Sequence, residues 1–165
     1  MKLLITLIAL TLSLTANAEC FDVAGIVKTQ TLNEFQQAGL IRLDLTSRSS
    51  DRYFQLFGKL GGTITEANED GSLFISHAAV SADPEQAWSF ITHNDKAVIT
   101  GQPDGCNIPV SENISKIVGG SGITKDVTFI DITVNGTIAA PGCKGVLNVF
   151  KDVTGVICLN YEEVE

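Results

Sequence analysis

Ile41-Arg42-Leu43-Asp44-Leu45-Thr46 alternates apolar and polar side chains with strict period two, as a strand does when one face lies on a core and the other in water. A second stretch repeats the pattern less cleanly. Leu73, Ile75, His77 and Ala79 share one of its faces, and Phe74, Ser76, Ala78 and Val80 the other. Both faces are fairly apolar, which suits a central strand or one that lines a cavity. Working outward, turn residues divide the chain at short intervals. Glu69-Asp70-Gly71 predicts a hairpin between 63–67 and 72–80, and Asn94-Asp95 predicts another between 88–93 and 96–100. Asn135-Gly136 carries the strongest turn signal, because a type I′ turn needs two positive φ angles, and it predicts a hairpin joining 127–134 to 137–140. A last hairpin is expected between 146–150 and 155–159. Helical signal is confined to Thr31 through Gln37, where Thr31 and Glu34 have capping-box spacing, and to Asp83-Pro84-Glu85-Gln86-Ala87. The expected fold is all-β: an antiparallel barrel of about eight strands with one or two short helical turns, a sandwich being the alternative.

The chain opens with Lys2, an apolar run over 3–14 and Thr15-Ala16-Asn17-Ala18, the layout of a secretory signal peptide cleaved after Ala18. The run is too short for a spanning helix, which needs ~20 residues. Glu19 stands before Cys20 where a lipoprotein signal would have a small residue, so no membrane anchor is expected. Residues 19–165 then form a single domain, large enough to bury roughly 68% of its unfolded-chain surface. All four cysteines, Cys20, Cys106, Cys143 and Cys158, fall in it. An even count in an exported chain favours two disulfides over zinc, since no pair has Cys-x-x-Cys spacing. Cys143 and Cys158 flank the expected final hairpin and are predicted to pair, which leaves Cys20 for Cys106.

The formal charge of −8 becomes one unit more negative once Lys2 leaves with the signal. Nucleic acid and anionic membrane both need clustered Lys and Arg, so neither is expected as a partner. The compartment is secreted or periplasmic.

No motif for a cofactor or metal stands out. His77 lies on an otherwise apolar strand face and His93 before an expected turn; a meeting inside a barrel would give a base or two metal ligands, but no third ligand follows from spacing. The simpler reading is a hydrogen-bonded strand histidine and a solvated turn histidine. Val118-Gly119-Gly120-Ser121-Gly122-Ile123 lacks the spacing of a nucleophile elbow and the Lys-Ser/Thr of a P-loop, so a turn or bulge explains it. Asp131 interrupts an apolar strand on the face of Val127, Phe129 and Thr133. On an interior face it would be a perturbed carboxylate, and on an exterior face, the favoured reading, an ordinary solvated one. Phe74, Trp88, Phe90 and Phe129 are candidates to line an apolar ligand cavity. Asn113-Ile114-Ser115 and Asn135-Gly136-Thr137 fit the glycosylation pattern, which matters only in a eukaryotic secretory route.

The stretch 114–123 followed by 127–137, with Gly119, Gly120, Gly122, Gly136 and Thr137 in that order, resembles the allene oxide cyclase and dirigent-like barrels. There a strand ends in Gly-Gly-x-Gly and the next runs to Gly-Thr. Gly71-Ser72-Leu73-Phe74-Ile75-Ser76-His77 is similar to the preceding strand of those barrels. The resemblance implies a six-to-eight-stranded barrel whose cavity, in the plant proteins, holds hydrophobic oxylipins or phenolic radicals. It carries no catalytic residue onto a position here, and the four cysteines lie outside it.

Three functions follow as expectations. The first is a barrel that binds a small apolar ligand or a protein partner without chemistry. The second is an isomerase or cyclase of allene-oxide-cyclase type, with His77 and Asp131 projecting into the cavity. The third is a structural or surface-interaction protein, and the three differ in whether the interior is apolar, apolar with convergent polar groups, or filled.

Overall fold

The alternation read in 41–46 is what the chain adopts: Ile41, Leu43 and Leu45 are buried while Arg42 and Thr46 face solvent. A computed structural model describes residues 18–160. Its strands are β1 (Ala18–Thr31), β2 (Gln36–Ser47), β3 (Tyr53–Ala67), β4 (Leu73–Ser81), β5 (Ser89–Thr92), β6 (Asp95–Ile99), β7 (Asn107–Ile114), β8 (Ile117–Ser121), β9 (Val127–Ala139) and β10 (Asn148–Asn160), with a 3₁₀ turn at Gly122–Thr124. The expected leader lies outside the described residues, apart from Ala18, with which β1 begins.

Each ladder is antiparallel, and the ring runs β1, β2, β3, β4, β6, β7, β9, β10 and back to β1. This is a closed up-and-down barrel of eight strands, with β5 and β8 as two additional strands. Closure leaves no free sheet edge in the ring. β5 and β6 lie along the same edge of β4, which pairs Ala78 with Ile91 and Ile75 with Asp95. They behave as two halves of one barrel strand broken at His93-Asn94. Inward residues of the strands form one core that includes Phe21, Val23, Val27, Leu56, Leu60, Ile132, Val134, Phe150 and Ile157.

The structure corrects several details of the sequence reading. Asn94-Asp95 makes no hairpin, because β6 continues along β4 and does not fold back on β5. Asn135-Gly136 makes no turn either, since β9 runs straight through it. Gly136 pairs with Phe150, and a Cβ there would lie 2.3 Å from the Val149 carbonyl oxygen, so the glycine serves a close approach of backbones. The final hairpin is likewise one strand. The register slip between Phe150 and Asp152, together with Gly155 at φ 149°, bends β10 without reversing it. Residues 31–37 form the β1–β2 hairpin loop and no helical turn: the ladder extends to Thr31 opposite Gln37, and Leu32 N–H donates to Gln36 O at 2.8 Å. The 83–87 stretch is a single turn, in which Asp83 Oδ1 accepts from Glu85 N at 2.9 Å. The predicted Glu69-Asp70-Gly71 hairpin is present, with Gly71 at φ 81° and β3 paired to β4.

Both disulfides exist, with pairings other than those predicted: Cys20–Cys158 and Cys106–Cys143. A continuous β10 carries Cys158 away from Cys143 and sets it directly opposite Cys20 on β1. Cys143, in the β9–β10 loop, meets Cys106 just before β7. Two disulfides fit an oxidising compartment, and no helix among the described residues is long and apolar enough to cross a membrane.

Candidate functional site

Period two sends Ile75, His77 and Ala79 of β4 into the barrel, and Val110, Glu112 and Ile114 of β7 with them. The break between β5 and β6 adds an unusual feature. Asn94 adopts φ 59°, and the extra residue lets Thr92 and Asp95, three apart in sequence, both turn inward, where each is buried. Four polar side chains from three neighbouring barrel strands therefore converge in an otherwise apolar interior.

Their geometry is tight. His77 Nδ1 lies 3.0 Å from Asp95 Oδ2 and 3.6 Å from Glu112 Oε1. Thr92 Oγ1 accepts from His77 N–H at 3.0 Å and donates to Asp95 Oδ2. Both His77 and Glu112 retain only 5% exposure. Burial pushes the Glu112 carboxyl up to about 7; the Asp95 charge adds to the rise and the His77 charge opposes it. Burial works against a charged His77 imidazole, but the Asp95 hydrogen bond and the charges of Glu112 and Asp95 outweigh it, so its pKa is raised. Glu112 Oε1 is buried without a hydrogen-bond donor. The donor atoms of His77, Asp95 and Glu112 all fall within 4.8 Å of one another, a set able to hold a metal ion.

One cavity adjoins the cluster, and a second lies beyond Gln37. A narrow interior void of about 50 Å³ is walled by residues such as Ile41, Leu60, Phe90 and Ile132, with His77, Thr92 and Glu112 on its polar side. An open cavity of about 830 Å³ occupies one barrel end, between the β1–β2 loop and the β9–β10 loop, and exposes Phe35, Ile64, Leu73, Ile108, Ile138 and Val146. Gln37 borders both. Its Oε1 accepts from Thr29 Oγ1 at 2.6 Å and from Asn148 Nδ2 at 3.0 Å, which makes a polar girdle below the mouth. Gly62 leaves the room: a Cβ there would meet Gln37 Nε2 at 2.9 Å and His77 Cδ2 at 3.1 Å.

Of the residues singled out in the sequence, His77 and Phe90 reach the interior void. Trp88 is buried and stacked on Phe90, with ring centroids 5.9 Å apart, but lines neither cavity. Asp131 points outward and accepts from Asn113 Nδ2 at 2.9 Å, so it cannot join His77 in a cavity. Phe129, on the same outward face, is 52% exposed. Phe74 is half-buried on the outer face of β4. Neither phenylalanine lines a cavity, because the interior face of each strand is the alternate one. His93 is exposed and bonded to Ser76 Oγ at 3.0 Å, so the two histidines do not meet. Asp95, Glu112 and Thr92 escaped the sequence reading. Glu112 was legible: in Val110-Ser111-Glu112-Asn113-Ile114 it occupies the apolar face at period two.

Comparison of the chain with protein-family models, with curated proteins and with solved structures finds no match in any of the three.

Proposed function

We propose that this barrel binds a small, largely apolar molecule through its open end, with one polar group of the ligand directed at the girdle of Gln37, Thr29 and Asn148. The observation that carries the reading is the cavity of about 830 Å³, which falls in the size range of small-molecule sites, roughly 300–1,000 Å³. Its apolar walls come from inward positions of β3, β4, β7 and β9, with Gln37 and Asn148 at the inner end and Asn33, Glu34 and Lys144 in the loops of the rim. The interior void is too small to hold such a ligand and extends the site only as far as a methyl group or a water would reach. Two disulfides and the leader-like sequence support a site of action outside the cytoplasm.

The cyclase-type alternative, suggested by the glycine pattern, loses Asp131 to the exterior and gains Glu112 beside His77. It predicts that a bound ligand is returned chemically rearranged, whereas simple binding returns it unchanged.

Native mass spectrometry of the oxidised protein, followed by organic extraction, tests the binding reading. A stoichiometric apolar companion is expected. Displacement of an anilinonaphthalene dye by that companion should weaken about tenfold in Ile138→Asp, which places a charge in the mouth, and stay unchanged in Val80→Asp on the outer wall. A clean apo mass with no dye binding, or equal effects of the two variants, would overturn the proposal.

A further inference from the structure

We infer that His77, Asp95 and Glu112 form a binding site for a single divalent transition-metal ion inside the barrel. The inference does not depend on an apolar ligand. Metal–nitrogen and metal–oxygen bonds of about 2.0–2.2 Å place neighbouring donors roughly 3.0–3.6 Å apart, and His77 Nδ1 stands 3.0 Å from Asp95 Oδ2 and 3.6 Å from Glu112 Oε1. His77 thus already has the spacing of an adjacent ligand to each carboxylate, and all three donors lie within 4.8 Å of one another, so a small inward shift of the two carboxylates completes the shell.

Charge argues in the same direction. Two carboxylates share this interior with one imidazole, and no Lys or Arg lines the adjoining void. With both carboxylates ionised, even a protonated His77 leaves the cluster one charge negative in apolar surroundings, which is costly, so either a proton on Glu112 or a bound cation must balance it. A dication with a neutral imidazole brings the same three side chains to zero. The groups facing the cluster from other strands are neutral: Thr92 on β5, Gln37 on β2 and Gly62 on β3.

An independent observation points to a missing partner. Glu112 Oε1 is buried and has no hydrogen-bond donor, and such orphaned oxygens are rare because each costs about 1–3 kcal/mol. A metal ion supplies what no side chain there does. Thr92 is already placed as a supporting residue, since its hydroxyl donates to Asp95 Oδ2 and fixes the carboxylate. With one nitrogen and two oxygens, the set suits Zn²⁺, Mn²⁺, Fe²⁺ or Co²⁺. It lacks the six to eight oxygens that Ca²⁺ prefers and the thiolates of a Cu(I) site. Three protein ligands leave at least one coordination position free, beside a void that His77 and Glu112 line, as in open rather than closed metal sites.

The test uses the full oxidised chain, stripped with chelator and titrated calorimetrically with Zn²⁺. One ion per chain is expected, with affinity reduced roughly tenfold or more in both Glu112→Gln and Asp95→Asn and unchanged in the exposed-site control His93→Ala. No stoichiometric binding to the wild type would overturn the inference. Binding that survives both Glu112→Gln and Asp95→Asn would also overturn it, because the ion would then sit on surface carboxylates of an acidic protein. X-ray absorption of the Zn²⁺-loaded wild type decides the question even if those variants do not fold. A shell containing one imidazole with oxygens is expected, and a shell without imidazole refutes the site. Ile138→Asp leaves all three ligands intact, so loss of apolar-ligand binding and loss of metal binding are separable results.

Discussion

Glu112 sets a pH dependence whose sign follows from where its proton binds. In the fold its carboxyl titrates near 7, against an ordinary value of 4.5, mainly because burial disfavours the charge. Between those values the folded chain holds a proton that the unfolded chain has released, so stability falls as pH rises through the window and levels off above it. His77 acts in the same direction: its raised folded pKa gives stability that is present below 6.5 and lost as pH climbs through the folded value. Glu19, Asp44 and Asp70 are lowered, chiefly by hydrogen bonds from Ser47, Gln55 and Ser72 respectively, and their contribution disappears only in acid below the usual carboxylate range. In chelator, then, the melting temperature should drop by several degrees from pH 5 to pH 8, at about 2–4 °C per kcal/mol for a domain of this size. Glu112→Gln should flatten most of that slope, and a slope unchanged by the substitution would mean that Glu112 is solvated. The sequence exposed part of this site and hid the rest. His77 and Glu112 both stand at apolar-face positions of alternating strands. Asp95 does not, because its inward direction depends on a backbone break that shifts the period by one.

That break belongs to the strand, and two substitutions examine how the elements were misread. Asn94 at φ 59° holds the bulge between β5 and β6. Asn94→Gly should be close to neutral and Asn94→Ala should cost about 1 kcal/mol in chemical denaturation, the usual penalty of the left-handed region. Equal costs would mean that the bulge is not held there. Gly136 separates the two readings of β9. Were Asn135-Gly136 a turn, Gly136→Ala would cost on the order of 1 kcal/mol. In the strand the new methyl meets the Val149 carbonyl oxygen at 2.3 Å and Phe150 Cα at 2.5 Å, both backbone atoms, so the β9–β10 ladder must shift. A loss of roughly 2 kcal/mol or more is expected, and a milder effect would restore the turn. The strands of 41–46 and 73–80 were legible because alternation reports burial directly. Asn135-Gly136 misled because glycine serves both positive φ and close backbone approach, and only the partner strand shows which.

At the scale of the whole barrel, the disulfides staple opposite ends and should therefore fail differently. Cys20–Cys158 joins the first and last strands where the ring closes, remote from the mouth, and its ends are 138 residues apart. Cys106–Cys143 spans 37 residues and fastens the β9–β10 loop, which walls the open cavity, to the start of β7. The same junction carries the Ala140 N–H bond to Cys106 O at 2.9 Å. Chain entropy alone makes the bridges worth about 5 and 4 kcal/mol, values that native relaxation usually reduces. The two losses should thus be similar in thermal stability and unlike in function. Cys20→Ser/Cys158→Ser is expected to lower the melting temperature while leaving dye or ligand affinity at the mouth unchanged below the transition. Cys106→Ser/Cys143→Ser is expected to weaken that affinity severalfold at temperatures where the barrel is still folded, because the loop that forms one wall is no longer held. Thermal melts paired with binding titrations read both effects. If the first pair weakens binding as much as the second, the ligand does not sit at the open end, and the mouth loses its claim to be the binding site.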